Sequence, residues 1–275
     1  MGGPVLAYRT KRRAAVVAVA LGMLFGGDAA ATDAVKLYAA GSLKAALTEL
    51  AKEYQSAKGV PVEATFGPSG LLKERLEKGE SGDVFASANM EHPEALSMAG
   101  KSGPVRPFAR NQLCALAQPD VNVTPATLLE RLLDPTVRVG TSTPKADPAG
   151  DYAWELFRKA DALRPGSLTA LGGKALKLTG GPDSAKPPEG RNPYAWVMEQ
   201  RQADLFLTYC TNARLAVVEV PALRIVAVPA ELAVGAEYGL TVIKAAEPAR
   251  GEAFADYILS PAGQTVLERY GFARP

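Results

Sequence analysis

The chain has 275 residues, of which 47% are hydrophobic and 22% charged, and a formal net charge of +2. This length can bury one large core or the cores of two lobes. A net charge so close to zero, without a basic stripe, excludes nucleic acid and acidic membrane surfaces as expected partners.

Residues 1–31 have the pattern of a secretory signal peptide. A basic segment at residues 9–13 precedes an apolar run at 14–25, which is too short for a comfortable membrane span. Ala29-Ala30-Ala31 is a small-residue site for cleavage before Thr32. Cleavage would remove four basic residues and one acidic residue, so the net charge of the mature chain would be −1. We therefore expect export to the periplasm.

The mature chain begins with alternating strands and helices. Apolar runs at residues 35–39, 60–66 and 83–88 predict buried strands, and helical spacing follows the first two. This alternation predicts a parallel α/β sheet. Ser42 and Ser69 then lie just beyond the carboxyl ends of two strands, where open α/β sheets bind ligands.

The two serines suit an anion. At a helix start, a serine hydroxyl and the first free backbone N–H groups face one spot, which the helix dipole makes positive. Two such starts, at Ser42 and Ser69, predict one oxyanion held between them. Taken singly, each serine is explained as well by a helix cap.

The alternation continues to the end of the chain. Further strands are predicted at residues 111–117, 137–140, 204–209, 224–228 and 238–243, and further helices at 93–100, 124–133, from 148 onwards, 195–201, 248–259 and 261–270. Residues 172–173 and 180–193 are rich in glycine or proline, and we predict that they are irregular.

The residues that most enzymes and metal sites need are missing. The single histidine, His92, is predicted to lie in an exposed turn, and no His/Cys cluster has zinc spacing. The glycine-rich pieces match neither a phosphate-binding loop nor a dinucleotide fingerprint. We therefore expect a binding protein and not an enzyme, with no cofactor and no metal of its own. Cys114 and Cys210 could form one disulfide in an oxidising compartment.

Six short motifs occur in an order shared with one family. They are Tyr38-Ala39-Ala40-Gly41-Ser42-Leu43, Phe66-Gly67-Pro68-Ser69, Gly82-Asp83-Val84-Phe85-Ala86-Ser87-Ala88, Asn111-Gln112-Leu113, Pro148-Ala149-Gly150, and the ending from Ser260-Pro261-Ala262-Gly263-Gln264 to Arg269-Tyr270-Gly271-Phe272. On these motifs the whole mature chain resembles molybdate-binding proteins, the periplasmic substrate-binding components of ABC importers.

The resemblance implies an α/β fold of the type II periplasmic-binding-protein kind, with two lobes that close on the ligand by a hinge motion. Each lobe would be a mostly parallel sheet flanked by helices, and crossing hinge strands would join the lobes. Residues 32–109 with 244–275 would form lobe I, and residues 110–243 would form lobe II and the hinge strands. The expected partners are an oxyanion and the membrane subunits of an ABC importer, and the protein is expected to be a monomer.

The resemblance also implies neutral donors for a tetrahedral oxyanion, molybdate or tungstate. Ser42 and Ser69 match the family's two serines, Ala149 its backbone donor and Tyr209 its tyrosine. A further backbone donor would fall near Arg191 or Asn192. Here, however, the loop is longer than in the family, and Arg191 could bring a full positive charge near the anion.

Three other functions stay open: a receptor for another oxyanion such as sulfate, a same-fold accessory protein, and an enzyme with Cys114 or Cys210 as nucleophile. Neither serine turn holds a carboxylate that could accept the proton that phosphate keeps near neutral pH, which favours a fully ionised oxyanion. Asp147 and Asp151, which flank Pro148-Ala149-Gly150, weaken that argument. The resemblance places both cysteines in one lobe, which favours a disulfide between them.

Overall fold

The computed structural model describes residues 1–4, 33–244 and 248–275. Apart from its first four residues, the predicted signal peptide therefore lies outside the described residues, as does its cleavage site. No helix in the described parts of the chain has the length and hydropathy that a membrane span needs.

Strands and helices alternate through the described residues. The strands are β1 (Val35–Ala40), β2 (Val62–Gly67), β3 (Val84–Ser87), β4 (Arg106–Ala117), β5 (Val139–Ser142), β6 (Leu176–Thr179), β7 (Leu205–Tyr209), β8 (Arg224–Ala227) and β9 (Gly235–Val242). The helices are α1 (Lys44–Lys58), α2 (Ser69–Glu77), α3 (Glu91–Met98), α4 (Leu128–Leu133), α5 (Pro148–Leu163), α6 (Ser167–Lys174), α7 (Pro193–Glu199), α8 (Cys210–Glu219), α9 (Pro248–Leu259) and α10 (Pro261–Arg269). Short 3₁₀ turns at Gly41–Leu43 and Pro125–Thr127 precede α1 and α4.

The strands pair in the order β2-β1-β3-β9-β4-β7-β5-β6, and β8 also pairs with β4. Strand β1 is parallel to β2 and β3, and β5 is parallel to β6 and β7. The two parallel sets lie on opposite sides of β4 and β9, which run antiparallel to their neighbours.

Strands β4 and β9 connect the two sets. Residues Arg106–Gln112 of β4 pair with β9, whereas Leu113–Ala117 pair with β7. The last four residues of β9 pair with β3. These crossing strands confirm the predicted two-part α/β fold. They also make each half a mixed sheet, since the crossing strands run against the parallel ones. The predicted lobe limits at residues 109/110 and 243/244 stay a prediction.

Two helices differ from the sequence-based expectation. Gly172 and Gly173, predicted to be irregular, lie inside α6, where Leu171 is fully buried. That prediction was wrong because helix propensity is a weak preference, which burial of a neighbouring apolar side chain overrides. Helix α8, which the pattern did not predict, begins directly after β7. Residues 180–192 form no helix or strand, as predicted, whereas Pro193, the last residue of the predicted irregular run, begins α7.

The C-terminal helices return to the first parallel set. The ring of Tyr54 on α1 lies 5.0 Å from that of Phe254 and 5.1 Å from that of Tyr257, both on α9. Aromatic pairs at these distances add to the free energy gained by burial. This packing places α9 against α1, and the assignment of residues 244–275 to lobe I stays a prediction.

Candidate functional site

One cleft, with a volume of about 1020 Å³, lies between the two parallel sets. Its first wall is formed by segments that follow β1, β2 and β3, and its second wall by segments that follow β5, β6 and β7. Four of the five predicted ligand residues line it: Ser42, Ser69, Arg191 and Tyr209. The fifth, Ala149, is fully buried at the start of α5.

Neither serine occupies the cap position of its helix. The N-cap residues of α1 and α2 are Leu43 and Pro68, and the two serine oxygens bond to other parts of the fold. Both side chains are buried, with 9% of Ser42 and none of Ser69 exposed. The simple helix-cap explanation therefore does not fit either residue.

Ser69 is oriented by a neighbouring strand end. Its Oγ accepts a hydrogen bond from the backbone N–H of Ala88, which follows β3, at 3.1 Å. A serine hydroxyl has one proton to donate and two acceptor positions. Because the oxygen is the acceptor here, the Ser69 O–H remains available to a ligand in the cleft.

Ser42 is oriented by the two crossing strands. Asn111 Nδ2 on β4 donates to the hydroxyl oxygen of Tyr238 on β9 at 3.2 Å. That Tyr238 oxygen lies 3.0 Å from Ser42 Oγ, so the tyrosine O–H can donate to the serine. The Ser42 O–H is then free to donate to the cleft. This contact of Tyr238 could not be predicted from the sequence, because nothing local distinguishes this tyrosine from any other strand residue.

The two walls of the cleft touch each other. The Tyr209 hydroxyl donates to the Ala88 carbonyl oxygen at 3.1 Å, and the Gly70 N–H donates to the Ala146 carbonyl oxygen at 2.9 Å. A Cβ at Gly70 would collide with the Lys145 carbonyl oxygen and lie 2.9 Å from that of Ala146. Only glycine fits this close approach of two backbones.

The predicted backbone donor Ala149 is already engaged. Asp147 caps α5, and its Oδ1 accepts the Ala149 N–H at 3.1 Å. Asp147 itself lines the cleft, and burial raises the pKa of its carboxyl to about 6, although the Ala149 N–H and the Ser142 hydroxyl act to lower it. An aspartate directly before a helix that starts with proline is a recognisable cap signal. The sequence alone does not show that this cap faces the cleft.

Arg191 lines the cleft, but its charge is balanced by two carboxylates. Its guanidinium donates to Glu199 at 2.7 Å and to Glu219. The backbone N–H of Arg191 donates to Pro188, and that of Asn192 donates to Glu219 at 2.8 Å. The N–H groups predicted to bind the anion near residue 191 are therefore used within the protein in this structure.

The cleft carries equal numbers of basic and acidic side chains. The residues concerned are Lys44, Lys186 and Arg191 against Asp147, Glu189 and Glu219. The lining of the cleft therefore has no excess of positive charge.

His92 lies outside this cleft. It was predicted to occupy an exposed turn, but it lies in the first turn of α3 and is half-buried, so that prediction was wrong. Burial, with a contribution from Lys73, lowers the pKa of its imidazole to about 4. Its Nε2 is buried without a hydrogen-bond partner in the described residues.

Cys114 and Cys210 form a disulfide, with their sulfur atoms 1.97 Å apart. The bridge joins β4 to the first residue of α8. Neither cysteine is therefore a free thiol. Among the described residues, no cluster of three His, Cys, Asp or Glu side chains is placed to hold a metal ion.

A family model described as bacterial extracellular solute-binding protein matches residues 35–273. An uncharacterised protein of Pasteurella multocida is 42% identical over 183 residues, which cover 65% of this chain and 74% of that protein. The molybdate-binding protein ModA of Escherichia coli is 27% identical and covers 92% of this chain and 94% of its own length. The structure of the sulfate-binding protein SubI from Mycobacterium tuberculosis has a TM-score of 0.73 at 17% identity, and the match covers 88% of this chain and 87% of that one.

Proposed function

Because the chain belongs to the bacterial extracellular solute-binding protein family, we propose that it captures molybdate or tungstate in the periplasm and delivers it to an ABC importer. One observation carries the proposal. Ser69 Oγ accepts the Ala88 N–H, and Ser42 Oγ can accept the Tyr238 O–H, so that both serine hydroxyls can donate their protons into one cleft. Two donors at adjacent strand ends suit the oxygens of a single tetrahedral anion.

Neutral donors favour a dianion that brings no proton of its own. Hydrogen bonds to a charged group are worth roughly 1.5–3 kcal/mol each, and more donors add specificity. Similarity to the Escherichia coli molybdate-binding protein over 92% of this chain supports molybdate as the ligand. The signal-peptide pattern and the extracellular description of the family support the periplasm as the location.

Sulfate is the second candidate ligand. It is also a tetrahedral dianion, and the fold of this protein matches that of a sulfate-binding protein with a TM-score of 0.73. Sulfate is smaller than molybdate, so the size of the closed cleft would separate the two.

A calorimetric titration of residues 32–275 with molybdate, tungstate, sulfate and phosphate tests the proposal. We expect molybdate and tungstate to bind at least about tenfold more tightly than sulfate, a difference of about 1.4 kcal/mol. Tighter binding of sulfate would assign the protein to sulfate instead. If none of the four anions bound, the oxyanion function would be wrong and the accessory role would be favoured.

Gly70→Ala should weaken binding although it suits a helix. Alanine raises helix propensity by about 1 kcal/mol over glycine, but its Cβ would force the Gly70 and Ala146 backbones apart. Loss of that contact between the walls should lower molybdate affinity about tenfold. Gly173→Ala on α6 is the matched control, since a Cβ there meets nothing within 4 Å. Equal affinities for the two variants would contradict a role for the close approach.

A further inference from the structure

One acidic side chain in the cleft has no role in the proposed capture of a dianion. Asp147 Oδ1 is used by the Ala149 N–H, which caps α5. The other oxygen, Oδ2, lies against Gly180, where any Cβ would come within 2.5 Å of it. Asp147 and Gly180 both line the cleft that holds Ser42 and Ser69.

The groups that act on this carboxylate are neutral or acidic. On its own helix, Asp151 adds a second negative charge. Tyr194 on α7, Tyr209 on β7 and Tyr238 on β9 also interact with Asp147. Burial raises the pKa of each of these phenols, so all three stay neutral near physiological pH.

The negative charge of Asp151 is partly offset by two basic side chains. Asp151 Oδ1 accepts the backbone N–H of Lys145 at 2.9 Å, and the carboxylate of Glu91 on α3 adds a further negative charge near it. The Lys145 and Arg158 side chains act on Asp151 and oppose its negative charge. A dianion bound by the serines would therefore share the cleft with an ionised Asp147 unless one of them carried a proton.

We infer that Asp147 determines the ligand chemistry of the cleft: the site binds a tetrahedral oxyanion together with one proton, held between a ligand oxygen and Asp147 Oδ2. The inference rests on the proposed oxyanion function. The proton has two possible sources. A fully ionised anion such as molybdate would require Asp147 to take a proton from water, whereas hydrogen phosphate would bring its own proton.

The physical consequence is a proton linkage. The pKa of the free carboxyl is about 6, and a nearby dianion would raise it further. Binding of molybdate above that pH must then take up a proton, so affinity falls as pH rises. Below the free pKa, Asp147 is already protonated and affinity no longer depends on it.

Calorimetry in buffers of different ionisation enthalpy measures the proton directly. Between pH ~6.5 and ~8.5 we expect molybdate to bind with uptake of up to about one proton, and its affinity to fall up to about tenfold per pH unit. Phosphate at the upper end of this range should bind with almost no uptake, because it supplies the proton. Asp147→Asn keeps an oxygen that can cap α5, and its molybdate affinity should be independent of pH and exceed that of the wild type at pH ~8.5.

Asp151→Asn is the matched control. It removes a neighbouring carboxylate that does not line the cleft. Its molybdate affinity should therefore still fall as pH rises, but the fall should begin at a lower pH. Molybdate binding without proton uptake, or equal uptake by Asp147→Asn, would overturn the inference and leave the proposed function intact. If no oxyanion bound the wild type or Asp147→Asn at any pH, the proposed function and the inference would both be wrong.

Discussion

Replacing Cys114 and Cys210 together with serine is expected to lower the free energy of unfolding by about 5 kcal/mol in the chain-entropy description of a disulfide. The bridge closes a loop between residues 96 positions apart, and its loss lets the unfolded chain gain conformational freedom. Both cysteines are buried, so polar serines in their place add a further cost. Urea denaturation of the oxidised wild type and the double variant measures the difference.

Reduction provides the control for this prediction. The wild type in excess reductant should unfold at a lower urea concentration than the oxidised wild type and slightly above the double variant, because buried thiols cost less than buried serine hydroxyls, and reductant should not change the variant further. Denatured but unreduced wild-type protein should contain no titratable thiol. Two thiols per chain, or equal midpoints for the oxidised wild type and the variant, would contradict the bridge and its stabilising effect.

Ser42→Ala and Ser69→Ala are each expected to weaken molybdate binding by about ten- to a hundredfold. Each change removes one hydroxyl donor to a dianion, a bond worth roughly 1.5–3 kcal/mol. Ser42→Ala also leaves the Tyr238 hydroxyl without its partner on the first wall. Calorimetry on each variant gives the affinity, and thermal unfolding without ligand gives the stability.

Ser260→Ala separates ligand binding from helix capping. Ser260 is a true cap, since its Oγ accepts the Gly263 N–H at 3.2 Å at the start of α10. Its loss should cost about 1 kcal/mol of stability and leave molybdate affinity unchanged. If the two cleft serines behaved like Ser260, with a lower melting temperature and unchanged affinity, the proposed site would be wrong.

The placement of the two serines could be predicted because it depends on local pattern. A strand, a short turn and an amphipathic helix follow one another at both Ser42 and Ser69, and parallel strands bring their carboxyl ends to one edge. The crossing strands, and the place of the last helices beside the first half of the chain, were expected only from the resemblance to a family with the same motifs in the same order. Helix α6 was missed because two adjacent glycines outweigh a short apolar pattern when tertiary contacts are unknown.

The contacts that orient the site could not be predicted from the sequence. Ser42 and Tyr238 are separated by 196 residues, and Tyr209 bonds to Ala88 across 121. Hydrophobic periodicity cannot predict such distant hydrogen-bonded pairs, since they depend on how β4 and β9 cross between the two parallel sets. The engagement of Arg191 by Glu199 and Glu219 likewise follows from the fold of the 180–192 loop.

The sequence by itself determined which segments form strands and helices in the first half of the chain, and it brought two serines to strand ends. These features can be predicted because apolar spacing, and the residues that start and end helices, act over only a few positions. Tertiary structure alone decided which groups contact each serine hydroxyl, and whether the charge of Arg191 in the cleft is free or balanced. It also decided that Asp147 lines the cleft. These properties depend on burial and on partners far apart in the chain, which only the packed fold brings together.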